Sequence, residues 1–312
     1  MEYHRLLRSG RPGWAWPLLG FAALVAVYFV GVQVAAVALV LVLVAGGLST
    51  DAAFDRLDGD GTVFPSYLAL VNLSWAIAIP AAWLVLYVVH RRRPGWLASV
   101  AGRFRWRWFA ACLGLAFAAL FVTMVVSALL PTQGEGVELS GGLNDFTTTT
   151  RDFLLVVVLL TPLQAAGEEY AFRGYLTQAV GSMLPWEGVA RVAAVVVPAF
   201  LFALAHGLGQ DVPVFFDRFA FGLVAGVLVV LTGGLEAGIA MHVLNNFLAF
   251  GMALAFGDMT SALDPTGGTW WSIPVTLTQS LSFLLLTIVV ARSTGLATRS
   301  VTPELVAPNR RV

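Results

Sequence analysis

The 312-residue chain is 58% hydrophobic and only 12% charged, with a mean hydropathy of +0.82, a composition that excludes an ordinary soluble domain. Its formal net charge is zero, 18 basic residues against 18 acidic ones, so the balance gives no ground for nucleic-acid binding. The single cysteine, Cys112, excludes an intrachain disulfide or a thiolate metal site and reads as a small packing residue.

Apolar runs of the ~20 residues needed to cross a bilayer lie at Trp16–Leu48, Pro65–His90, Trp108–Leu130, Phe153–Val180, Val189–Leu208, Val212–Leu231, Ala237–Phe256 and Trp270–Ala291. The expected fold class is all-α, a polytopic membrane helical bundle with about eight transmembrane helices. The opening Met-Glu-Tyr-His-Arg-Leu-Leu-Arg leads into an apolar stretch much longer than the ~7–15 residues of a signal-peptide core, so the first helix is expected to persist in the mature protein. Residues 1–131 form a plain unit of three helices. Within it the segment 90–109 mixes Arg91–Arg93 with Trp96, Trp106 and Trp108, which suits either an interfacial helix on anionic headgroups or a basic loop with aromatic anchors. Thr132–Arg151, rich in glycine, reads as an exposed loop. A polar-decorated core at 150–256 follows, then a last helix at 270–292 and a flexible tail at 293–312.

Arginine placement sets the expected orientation, because short loops rich in Lys or Arg stay in the cytoplasm. The chain has no lysine. With the N-terminus inside, Arg5, Arg8, Arg11, Arg91–Arg93, Arg103, Arg105, Arg107, Arg191, Arg292, Arg299, Arg310 and Arg311 fall on that side, and only Arg56, Arg151 and Arg218 fall on the other. The expectation is a multi-pass protein of the cell membrane, by composition a bacterial cytoplasmic membrane, with both termini cytoplasmic and the lipid bilayer as an obligate partner.

Ionisable side chains at membrane depth are costly and need a partner or a task. Glu168, Glu169 and Arg173 stand together in the fourth apolar run. Positions four apart share a helix face, so Glu169 and Arg173 form a favourable pair. Glu168 is rotated about 100° away and shares its face with Gln164 and Phe172, which leaves it free to act as base or ligand. His206 closes the fifth run, with Phe202 one turn before it. In the seventh, His242 and Asn246 project from one face, the pair of donors that an oxyanion requires. One spare carboxylate and two histidines on three helices suffice to activate water. Glu168, His206 and His242 are also residue types that zinc accepts in an open catalytic site. The same residues would equally serve a proton-coupled carrier or a non-catalytic immunity or scaffold protein.

Glu-Glu-Tyr-Ala-Phe-Arg at 168–173, Phe202 with His206, and His242 with Asn246 resemble, in order and separation, the three motifs of the CPBP family of intramembrane proteases, which includes the type II CAAX prenyl endopeptidases and bacteriocin-immunity proteins. The resemblance spans about Thr150–Phe256. It implies a membrane-embedded endopeptidase acting on a membrane protein or peptide near the cytoplasmic face. Glu168 with His206 would activate water, His242 and Asn246 would hold the oxyanion, and Glu169 and Arg173 would support them. It leaves open a divalent metal such as zinc on Glu168, His206 and His242, against a metal-free glutamate mechanism. Counted in residues from the turn near Leu184, Glu168 and His206 differ in height by about 7 Å on straight helices, so Pro162, Gly167 and Pro198 are the expected places for the helices to bend.

Overall fold

The computed structural model describes residues 1–11, 13–59, 61–130, 142–207, 209–263 and 270–301. Eight helices among them are long and apolar enough to cross a membrane: α1 (Ala15–Ala45), α2 (Pro65–Val88), α3 (Trp106–Ser127), α4 (Thr148–Met183), α5 (Glu187–Ala205), α6 (Val212–Thr232), α7 (Glu236–Phe256) and α8 (Ser272–Ser293). They correspond one to one with the eight apolar runs. This is an all-α, multi-pass membrane protein.

Its polarity is inverted relative to a soluble fold. Phe29, Phe117 and Leu285 lie exposed on the outside, whereas Glu168, Glu169, Arg173, Glu236 and His242 are buried. Such a surface fits a hydrocarbon solvent, which cannot satisfy charged groups.

Six helices form a closed ring in the order α4, α7, α3, α8, α6, α5, with the end of α4 meeting α5 again. Helix α2 lies against the outside of α4, and α1 against α2. At 31 residues α1 is about 46 Å long, so it tilts within or projects from a hydrocarbon layer of about 30 Å.

Two local departures from α geometry shape the ring interior. Helix α2 breaks at Ile77, between Pro65–Ala76 and Ala78–Val88. Pro80 lacks the N–H that would bond the Ala76 carbonyl, which is the physical reason for the break. Gly167 of α4 packs against this point so closely that a β-carbon there would sit 1.9 Å from the Trp75 carbonyl oxygen. In α4 itself, Tyr170–Leu176 winds as a π-helix directly after the two glutamates. Pro162 and Pro198 both lie inside continuous helix, so the main change of winding in α4 falls at 170–176 and not at its proline.

One end of the bundle brings the N-terminal residues and the segment around Ser300 together. Tyr3–Ser9 forms a short 3₁₀ helix whose Tyr3, His4, Leu6 and Leu7 are buried beneath the end of α4. Arg8 donates to the Ser182 and Leu184 carbonyls at 3.0 and 2.7 Å. Met1 and Ser300 bond each other's backbone, and Glu2 pairs with Arg191 and Arg299. These contacts hold Met1 and Ser300 together at one end of the bundle.

Two expectations are corrected at this end. The segment 90–109 is not an interfacial helix before Trp106: only Gly95–Ala98 is helical, and Leu97 and Ala98 are buried. Backbone bonds from Val100 to Gly233 and from Leu235 to Ala98 seal it onto the turn between α6 and α7, satisfying groups that lipid could not. The basic-loop alternative holds. The first part of the tail is likewise docked and not free, since Ala297 accepts from Arg105 and Ser300 is buried against Met1. Residues 131–141, most of the glycine-rich loop, and the tail from 302 onward lie outside the described residues, whereas Cys112 is buried among packing residues as expected.

Candidate active site

The π-wound stretch of α4 directs its charged side chains into the ring. Glu169 and Arg173 approach to 3.1 Å and both are buried, as their four-residue spacing implied. The Arg173 guanidinium lies 4.0 Å from the centre of the Phe202 ring and 6.0 Å from that of Phe221, so two aromatic faces supplement a single carboxylate in holding the cation. Gly222 makes room for it: a β-carbon there would stand 3.2 Å from its Nη2.

Helix α7 brings the second element of the site. His242 Nδ1 lies 3.1 Å from Glu169 Oε1. An ionised carboxylate only accepts, so Nδ1 carries the proton and Nε2 faces the other way. It faces Glu168, whose Oε2 is 3.6 Å distant. Glu168 Oε1 accepts from the Gln164 Nε2, and Gln164 Oε1 in turn accepts from Asn246 Nδ2 at 2.9 Å. Glu168 Oε2, by contrast, is buried and has no hydrogen-bond partner among the described residues. Glycine again permits the approach of α7, because a β-carbon on Gly238 would stand 2.8 Å from Glu169 Oε2.

Five of the six residues singled out by the sequence are thus joined in one cluster: Glu168, Glu169, Arg173, His242 and, through Gln164, Asn246. The sixth stands apart. His206 caps the far end of α5 and is exposed, with its Nδ1 2.8 Å from the Phe202 carbonyl. A carbonyl accepts only, so Nδ1 is the protonated nitrogen and Nε2 is left available. Its ring centre lies 4.6 Å from that of Phe202, which is itself 6.0 Å from His242. The charge of Glu168 acts on His206 without a direct contact. Phe202 therefore contacts both histidines.

The height mismatch between helices is resolved at that same residue. Phe202 is fifteen residues into α5 and His242 six into α7, or about 22 and 9 Å along their axes. Their contact shows that the two helices are staggered along their axes.

Among the described residues no three of His, Cys, Asp or Glu come together to hold a metal ion. Glu168 and His242 supply two suitable donors side by side, but His206 does not join them as a third. The three-ligand arrangement does not fit the side chains as they stand.

Sequence reasoning missed the wall residues Phe221 and Gly222, which carry no motif spacing. It also missed Glu236 and Arg105, which form a second ion pair, with the glutamate buried and the arginine partly so. Arg105 Nε and Nη2 contact Glu236 Oε1 and Oε2 at 2.9 and 2.7 Å, and the Arg105 backbone N–H adds a third bond at 2.9 Å. A lone glutamate at a run boundary and a lone arginine in a basic stretch give no hint of pairing.

A ring of membrane helices enclosing a glutamate pair, an arginine and a histidine is the class of protein these observations define. Residues 150–248 match the family described as Type II CAAX prenyl endopeptidase Rce1-like, so this segment, about a third of the chain, is similar to that family. All three motifs lie inside the matched segment. The chain is also 24% identical over 227 residues to the uncharacterized protein YyaK of Bacillus subtilis (strain 168), covering 69% of this chain and 73% of that protein. No solved structure matches it.

Proposed function

We propose that this protein is an intramembrane endopeptidase that hydrolyses a peptide bond by direct attack of water. The observation that carries the reading is Glu168: a buried carboxylate oxygen without a hydrogen-bond donor among the described residues, 3.6 Å from an imidazole nitrogen, inside a segment similar to a protease family. A water placed between Glu168 Oε2 and the substrate carbonyl would give its proton to the carboxylate while its oxygen bonds to the carbonyl carbon. The same proton then returns to the leaving nitrogen as the C–N bond breaks.

Glu169 supports this chemistry by accepting from His242 Nδ1. It fixes the ring with Nε2 turned towards Glu168, where that nitrogen, when it carries a proton, would donate to the tetrahedral oxygen. Asn246 has one N–H committed to Gln164 and a second to offer. Two donors from one face of α7 then share the negative charge, a contribution of about 10²–10³ in rate per donor. His206, with Nε2 available, assists proton movement from the exposed end of α5. No step is routed through a metal.

The substrate is a membrane protein or peptide entering from the bilayer, cleaved near the face bearing Met1 and Ser300. The arginine distribution assigns that face to the cytoplasm and the protein to the cell membrane. Comparative membrane proteomics of a strain expressing the parent against one expressing Glu168→Gln identifies the substrate, and its cleavage is then followed in proteoliposomes. The expected result is cleavage by the parent and none by the variant. Equal cleavage by Glu168→Gln and His242→Ala sinks the reading, and a substrate carried across the membrane intact replaces it with transport.

A further inference from the structure

We infer that Gln164 is a positioning residue that sets Glu168 and Asn246 together, through the two ends of one carboxamide. The inference rests on the proposed endopeptidase reading and adds to it a residue that none of the three motifs contains.

The geometry is specific. Gln164 lies one turn before Glu168 on α4 and is buried. Its Nε2 donates to Glu168 Oε1, and its Oε1 accepts from Asn246 Nδ2 at 2.9 Å across to α7. The polarity of this chain is determined by its ends. A carboxylate can only accept, so the Gln164 nitrogen must face Glu168, its oxygen must face α7, and the Asn246 nitrogen must answer it. Glu168 is then held by one oxygen while the other, Oε2, has no hydrogen-bond donor among the described residues and faces His242. Asn246 is likewise prevented from flipping, so that its amide nitrogen is the end presented to the site. One side chain thereby fixes which oxygen of the base is free and which end of the amide is the donor.

An apolar side chain in the same place would fill the space and do neither. It would leave Glu168 free to rotate and Asn246 free to present oxygen to an oxyanion. A glutamate there would put a second carboxylate beside the first and repel its charged form. Gln164→Met and Gln164→Glu therefore separate positioning from packing.

Two readouts test the inference. In cleavage assays on the identified substrate, Gln164→Met is expected to lower kcat about 10–100-fold with little change in KM. Gln164→Glu is expected to move the acid limb of the pH–rate profile to higher pH. A packing role would lower the yield of folded protein and leave kcat per folded molecule and the pH profile unchanged, which overturns the inference. The second readout needs no activity. Carboxylate stretching bands of Glu168, assigned in the infrared spectrum of the reconstituted protein by their loss in Glu168→Gln, are expected to shift in Gln164→Met because the carboxylate loses a donor. Unshifted bands overturn the proposal even if the parent cleaves nothing. Shifted bands in a protein with no proteolytic activity sustain the hydrogen-bond chain and reject the endopeptidase reading alone.

Discussion

Two glutamate–arginine pairs lie within this bundle, and they are built differently. At the turn between α6 and α7, Glu236 and Arg105 satisfy each other: both carboxylate oxygens accept, and Nη1 of the arginine also reaches the Thr232 and Ala297 carbonyls at 3.1 and 3.0 Å. In the ring interior Arg173 stands 3.1 Å from Glu169, yet among the described residues its Nε, Nη1 and Nη2 align with no hydrogen-bond acceptor, and Glu168 Oε2 and Glu169 Oε2 have no hydrogen-bond donor. Buried charge is tolerated when its bonds are complete. The Glu236 pair meets that condition and joins α3, α6, α7 and the tail. The Glu168–Arg173 cluster does not meet it with protein atoms alone, which is the mark of a site that works on something else.

The largest effect expected from this contrast is chemical. Glu168→Gln keeps the shape and removes the base, so cleavage is expected to fall by about 10²–10⁴ while the protein stays folded. A thermal melt in detergent alongside the activity assay checks both halves of that statement. Were Glu168→Gln to lose stability as well, the two pairs would be alike and the contrast would collapse.

Next in size is stability. Replacing Arg105 by Met leaves Glu236 charged and unpaired, at a cost of about 3–5 kcal/mol, and should lower the melting temperature without changing kcat per folded molecule. Arg173→Met should cost a similar amount and should also reduce kcat, because the Glu169 that it neutralises orients His242. The double variant Glu169→Gln with Arg173→Met should recover part of the stability but not the activity. Recovery of both would assign the pair to structure alone.

A smaller effect concerns pH. Burial pushes the imidazoles of His4 and His90 down to about 4. His90 accepts no charge from a partner: its Nε2 meets the Tyr175 hydroxyl at 2.9 Å, and that hydroxyl donates onward to the Pro17 carbonyl. An unfolded histidine titrates near 6.5, so the folded state binds fewer protons between the two values. Stability is then fully present above about pH 6.5 and declines as pH falls towards 4, by up to about 1.4 kcal/mol per pH unit for each group. Melts between pH 7.5 and 5 should show the decline, and His90→Gln should flatten it. No change in slope would remove His90 from the account.

The smallest is insensitivity. With no three-ligand metal arrangement among the described residues, chelators are expected to leave cleavage within about twofold of its starting value. Loss of activity restored by zinc would show that His206 swings in to complete a site, and would redraw the mechanism around it.

Much of this was legible in the sequence because the bilayer imposes simple rules. Every spanning segment must be apolar, helical and about twenty residues long, so eight runs became eight helices with only their ends displaced. The Glu169–Arg173 pair was legible because it is local, set by four residues of one helix. The π-winding at Tyr170–Leu176 was not, since it depends on how α4 fits its neighbours and not on a residue type. The docking of Tyr3–Ser9 under α4 was hidden too: nothing in a short basic, apolar stretch before a long helix points to a partner, and only its burial shows one.

By itself, then, the chain determined its class, its spans, which carboxylate is locally paired and which three helices carry the polar groups. The tertiary structure alone decided who meets whom. It placed His242 between both glutamates, set His206 against the ring of Phe202, and turned Gln164 from a neighbour on the same face into the link between Glu168 and Asn246. The reason is physical: spacing along a helix fixes the face on which a side chain lies, but the stagger between helices, set by glycines that let backbones touch and by a proline that breaks α2, fixes the height at which faces meet.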